Sequence, residues 1–136
     1  MDAAPTTFAE LPRDPRLGVP VPFACSSPTQ LDKRRVTQCA LSRVCGVCGT
    51  GLGRPIAFLG SAAEEGRNAF HFPPTHEECA TALLAAYDGV GEAVLGQDEP
   101  LASWVVVTTA SFEFVRPGRD DEDRRPTFQL TRVLSG

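Results

Sequence analysis

The chain predicts a small α+β domain on three observations. Good helix formers run from His76 to Tyr87, apolar residues alternate around Ile56/Phe58 and around Phe70/Phe72, and a β-rich stretch from Trp104 is followed by a charged turn and a returning strand. With 136 residues, of which 42% are hydrophobic, it is sized for one domain with an ordinary packed core. Composition divides it into an extended or disordered arm over 1–22 and a single domain over 23–136.

Each element has a local reason. Pro5, Pro12, Pro15, Pro20 and Pro22 interrupt the arm, which has little apolar periodicity and is expected to add nothing to the core. Ser27-Pro28 has the form of an N-cap followed by proline at the first helical position, and Val36, Ala40 and Val44 recur at helical spacing. Together they predict a helix over 28–44 with Lys33, Arg34 and Arg35 on its exposed face. The segments around Ile56/Phe58 and Phe70/Phe72 then predict a β-hairpin closed by a polar Glu/Gly/Arg/Asn loop. Pro73-Pro74 ends the second strand, Thr75 to Glu78 has the form of a capping box, and a helix over 76–87 stops at Asp88-Gly89. Residues 90–101 are expected as loop. Trp104–Val115 and Thr127–Leu134 form a C-terminal β-hairpin over 102–134, joined by an exposed turn at 117–126.

Five cysteines is an odd number, and two close ligand pairs stand out: Cys45-Gly-Val-Cys48 and His76-Glu-Glu-Cys79. Glycines follow Cys48 where a thiolate knuckle turns tightly, and His76 and Cys79 at i and i+3 share one helical face. Cys45, Cys48, His76 and Cys79 therefore predict one tetrahedral Cys₃His site holding a single structural Zn²⁺, with a zinc unit over 45–87. Four protein ligands leave no position for substrate or activated water, which argues against catalysis at that metal. Cys39 is assigned to core packing, with ligand exchange as its alternative, and Cys25 to a free thiol. His71 alternates away from the face of Phe70 and Phe72 and is expected to be exposed or hydrogen-bonded.

A knuckle, a hairpin and a helix whose first turn supplies two ligands resemble a treble-clef zinc finger over 45–87. More narrowly, Leu-Ser-Arg-Val-Cys-Gly-Val-Cys-Gly, Gly-Arg-Pro-Ile-Ala-Phe-Leu-Gly and Pro-Pro-Thr-His-Glu-Glu-Cys-Ala resemble a group of small zinc-binding proteins of actinobacteria and their phages. The resemblance runs from Leu11 to Tyr87. Members often carry methionine where this chain has Thr75, and a Cys-Pro pair where it has Tyr87-Asp88. What the resemblance implies is zinc binding, with no assigned activity.

Net charge is −4, but unevenly spread: residues 1–60 carry seven Lys/Arg against four Asp/Glu, and residues 61–136 six against thirteen. The leading expectation is a non-catalytic module for protein interaction or assembly, including self-association, in the cytoplasm. A nucleic-acid surface built from Lys33, Arg34, Arg35, Arg43 and Arg54 is the alternative. A third is an enzyme with a pocket away from the zinc, involving His71 or Glu113. Several catalytic motifs fail. Gly49-Thr-Gly51-Leu-Gly53 lacks the P-loop lysine, the Cys-x-x-Cys precedes rather than follows the histidine that a zinc deaminase would need first, and His76-Glu-Glu-Cys79 is not His-Glu-x-x-His. No run approaches the roughly 20 apolar residues of a membrane span.

Overall fold

The computed structural model describes residues 8–135. After an N-terminal arm come β1 (Cys25–Ser27), β2 (Gln30–Leu31), α1 (Lys33–Ser42), β3 (Ile56–Gly60), α2 (Ala62–Arg67), β4 (Thr75–His76) and α3 (Glu77–Ala86). The chain ends in β5 (Val105–Thr109), β6 (Phe112–Val115), β7 (Thr127–Leu130) and β8 (Val133–Ser135). It is a mixed helix-and-sheet domain. Its main sheet has the order β4-β3-β5-β8, beside two-stranded ribbons β1-β2 and β6-β7. No helix among the described residues is long and apolar enough to cross a membrane.

The centre is β3, all five residues of which are buried. It pairs antiparallel with β5 along its whole length, from Ile56 opposite Thr109 to Gly60 opposite Val105. On its other edge Ile56 faces His76 and Ala57 faces Thr75. Both α3 and a phenylalanine cluster pack against this strand. The Phe58 ring lies 5.7 Å, centroid to centroid, from each of Phe70, Phe112 and Phe128.

Several predicted elements are corrected. The helix expected over 28–44 starts at Lys33, because the Asp32 carboxylate caps it by accepting the backbone N–H groups of Arg34 and Arg35 at 3.0 and 3.2 Å. Ser27 and Pro28 belong instead to the β1-β2 ribbon and its turn, where Ser27 faces Gln30. The hairpin expected from Ile56/Phe58 and Phe70/Phe72 does not form. Its supposed loop is α2, opened by a reciprocal capping box between Ser61 and Glu64, and Phe70 exchanges backbone hydrogen bonds with Phe128 of β7. Thr75 does not cap the next helix either. It lies in β4, its hydroxyl donates to the Ala57 carbonyl at 2.9 Å, and His76 stands at the N-cap without a side-chain cap bond.

Residues 1–7 of the arm lie outside the described residues, but 8–22 pack against the domain. Val19 is buried, Leu11, Leu17 and Val21 pack against the core, and the Tyr87 hydroxyl donates to the Pro20 carbonyl at 2.7 Å. The expectation that this segment adds nothing to the core is therefore corrected: its apolar residues alternate with prolines too irregularly for a periodicity test to detect. The C-terminal hairpin forms, bent at Ala110-Ser111 and Thr131-Arg132, so that β6 pairs with β7 while β5 pairs with β8 on one edge and with β3 on the other.

Phe58→Ala removes the ring on which three other aromatics converge, and large-to-small changes at such sites cost about 3–5 kcal/mol. Urea denaturation of the variant is expected to show a loss of that order; a midpoint unchanged from wild type would contradict this account of the core.

Candidate metal centre

The knuckle is set by backbone bonds before any side chain matters. The Cys45 N–H donates to the Thr50 carbonyl and the Gly49 N–H to the Cys45 carbonyl, each at 2.8 Å. Gly49 has φ +77, a left-handed conformation that a side chain would disfavour, and a Cβ there would also stand 2.9 Å from the Phe23 ring. Val44 bridges Gly51 to close the loop, and the Gly46 N–H donates to the Pro74 carbonyl, which docks the knuckle beside β4. His76 follows on β4 and Cys79 lies in the first turn of α3.

These elements bring Cys45, Cys48, His76 and Cys79 together, with one donor atom from each lying within 4.8 Å of all the others. Cys45, Cys48 and Cys79 are buried and His76 is half-buried. The His76 Nδ1 stands 3.4 Å from the Cys48 sulfur and 3.7 Å from that of Cys79. Its Nε2 meets the Gly51 carbonyl at 2.9 Å. A carbonyl only accepts, so Nε2 carries the proton and the Nδ1 lone pair faces the thiols.

Cys45 is the most heavily supported sulfur, accepting backbone N–H groups from Val47 at 3.3 Å, Cys48 at 3.5 Å and His76 at 3.4 Å. Burial pushes its thiol up, but hydrogen bonds from Cys48 and Cys79 and from the Cys48 and His76 backbone bring it down to about 3. Cys79 moves the other way: its hydrogen bonds to Cys45 and Cys48, together with burial, raise it well above the ordinary thiol range. Any thiol proton held in this group is one that a cation would displace. Such a donor set is compatible with one metal ion.

Cys39 is fully buried on α1 and stands outside the four-residue group, as does Cys25, buried on β1; burial pushes both thiols up to about 12. The basic residues are dispersed. Lys33, Arg34 and Arg35 follow one another at the start of α1, where Arg35 donates to the Phe23 carbonyl at 3.2 Å and lies over the Phe23 ring. Arg43 is at the far end of that helix, 5.2 Å over the Phe112 ring, and Arg54 shares a shallow cleft with Glu77 and Glu78. Glu113 is exposed on β6.

Two features of the site escaped the sequence reading. The Cys48 sulfur is hydrogen-bonded to the Thr50 hydroxyl at 3.0 Å, and no periodicity or motif signals that contact. A second polar centre lies at Glu64, 1% exposed, which accepts from the Ser61 and His71 backbones, the Gln97 amide and the His71 Nδ1, the last at 2.9 Å. Ser61-Ala-Ala-Glu64 carries the capping-box spacing that could have located it. His71 is accordingly hydrogen-bonded, as one of its two expectations held, and buried.

The chain matches no protein-family model, and neither a curated protein nor a solved structure matches it.

Thr50→Val keeps the shape of the knuckle and deletes the hydroxyl at Cys48; removing an outer-shell partner weakens metal binding by about 10- to 100-fold. Competition with a chromophoric chelator measures this, and wild-type affinity in the variant would contradict the role given to Thr50. Burial pushes the Glu64 carboxyl up, but its bonds from His71, Gln97 and Ser61 outweigh that and hold it below the usual range. The stabilisation it contributes is therefore present above an unfolded glutamate pKa of about 4.3 and is lost as pH falls through the folded value. Glu64→Gln is expected to flatten the decline of stability with acidification; an acid limb as steep as wild type's would contradict it.

Proposed function

We propose that the chain is a structural-zinc protein that acts without catalysis, as a module for protein interaction or assembly. The observation that carries this reading is the closed donor set: three sulfurs and one imidazole nitrogen, all from the protein and within 4.8 Å of one another. Zn–S bonds of about 2.3 Å and Zn–N bonds of about 2.0–2.1 Å at a tetrahedral angle place sulfur and nitrogen about 3.6 Å apart. The separations of 3.4 and 3.7 Å at His76 bracket that value. Softness favours the same ion, since three thiolates with an imidazole suit zinc better than magnesium or calcium.

On this reading the segment over 45–87 is a treble-clef-like unit in which β3, α2 and β4 lie between knuckle and helix. Zinc supplies folding energy there by joining the knuckle to the start of α3. Cys45, Cys48, His76 and Cys79 are its four ligands, and Thr50 and the Gly51 carbonyl orient two of them.

The surface suited to an interaction is the edge strand β8, where Val133 and Leu134 are 57% and 60% exposed beside a single charge, Arg132. An open edge with apolar side chains is a template for pairing with another chain. A nucleic-acid role draws less support, because Arg35 and Arg43 are engaged with aromatic rings and Arg54 lies beside two glutamates.

Elemental analysis and zinc-edge X-ray absorption of the purified chain are expected to give one zinc with three sulfurs and one nitrogen. Cys45→Ser should lose the metal and much of the thermal stability, since apparent zinc energies of about 10–16 kcal/mol match the whole stability of a small domain. An exchangeable water in the coordination shell would instead favour catalysis. Sedimentation of wild type against Leu134→Lys tests the assembly reading, with association expected only in wild type.

A further inference from the structure

Away from the metal, the Glu64 centre ends in an arrangement that a structural ion pair does not require. The Glu64 carboxylate is saturated by four donors, so it accepts from His71 Nδ1 and aims the opposite ring nitrogen, Nε2, outward. Nε2 meets Asp123 Oδ2 at 3.1 Å. The same carboxylate is gripped by Arg125: Oδ1 accepts its backbone N–H at 2.9 Å and its Nε at 3.0 Å, and Oδ2 accepts its Nη2 at 2.9 Å. Both ring nitrogens thus face carboxylate oxygens, and the imidazole and the guanidinium converge on the one Asp123 carboxylate.

The donors and the carboxylate they hold differ in how they are anchored. His71 is buried, and Arg125 is fastened independently of Asp123, to the Gly96 carbonyl at 2.9 Å and to Asp98 at 3.1 and 3.2 Å. Asp123 sits on the exposed turn between β6 and β7, its side chain 48% exposed. His71 and Arg125 line two clefts of about 400 Å³ each, and Asp123 itself lines the second. The first also presents Lys33, which makes no ion pair among the described residues, with the amides of Gln30 and Gln97. The second sets Arg67 and Arg116 against Asp121, Glu122 and Asp123, whereas in the first Asp98 is already paired with Arg125 and leaves Lys33 unmatched, so the first is the better cleft for an anionic molecule.

We propose that His71 and Arg125 form a binding site for a small molecule bearing a carboxylate or phosphate group, and that Asp123 is a built-in carboxylate which occupies the site until such a ligand displaces it. The ligand's oxyanion takes the place of the Asp123 oxygens against His71 Nε2 and Arg125, and its remainder lies in the cleft lined by Lys33 and Gln97. Glu64 is a positioning residue that holds the imidazole. Affinity is set by competition, because the apparent constant is the intrinsic one divided by the fraction of chains in which Asp123 has swung out.

The test uses the full metal-loaded chain, with inorganic phosphate and succinate as probes and chloride at matched ionic strength as control. Affinity is read by isothermal titration calorimetry and occupancy of the site by the ring signals of His71, distinguished from those of His76 by His71→Gln. Asp123→Ala is expected to bind at least one probe saturably and at least about tenfold more tightly than wild type, and adding His71→Gln to Asp123→Ala should abolish that gain. Response to phosphate alone assigns a phosphate ligand, and response to succinate alone a carboxylate ligand. Asp123→Asn, which keeps the side-chain shape, serves as the second variant should the alanine form lose its fold. The proposal is overturned if neither probe moves the His71 signals in the folded variants, if affinity equals wild type's, or if it is unchanged by His71→Gln.

Discussion

Three thiols and an imidazole nitrogen lie within 4.8 Å of one another, and their mutual placement is the constraint on which the centre of the fold depends. Sulfurs this close and this buried either share protons, as the lowered Cys45 and raised Cys79 do, or share a cation. The backbone is already committed to the arrangement, since three N–H groups point at Cys45 and a carbonyl orients His76. The knuckle, β4 and the first turn of α3 all converge at this group. Their mutual placement depends on how that local charge is satisfied.

The strand β3 transmits this constraint across the domain. At one end Ile56 pairs with His76 of the Cys₃His cluster; at the other, Gly60 leads into Ser61 and the cap held by Glu64. Gly60 has a steric reason to be glycine, because a Cβ there would stand 2.3 Å from Glu64 Oε1 and 2.9 Å from the Phe70 ring. Five strand residues span only about 14 Å, so the metal centre and the Glu64–His71 pair are anchored to the two ends of one fully buried element. Rigidity between them follows from β5 pairing with every residue of that strand.

The two centres differ in what they leave open. Four protein donors close the Cys₃His group, whereas His71 Nε2 is met by a half-exposed carboxylate on a turn and His71 lines two clefts. A stabilising role suits the first and reversible occupancy suits the second. The charge asymmetry of the chain fits this division, since the acidic residues Asp120–Asp123 sit on the turn that covers His71.

Residue spacing by itself determined the Cys₃His cluster, because Cys-x-x-Cys and His-x-x-Cys each place two donors on one local turn regardless of the rest of the fold. It also determined α3 and the C-terminal hairpin, where propensity and alternation extend over enough residues to dominate. Only the tertiary structure decided what β3 pairs with, since a strand buried on all five residues carries no alternation to tell its partner, and Thr75 and Val105–Thr109 satisfy it from far along the chain. The same holds for Asp32 as the helix cap, chosen over Ser27 because β1 and β2 claim that residue, and for the His71 site. Its members Glu64, Gln97, Asp123 and Arg125 come from three separate segments, and contacts between distant segments leave no period in a sequence.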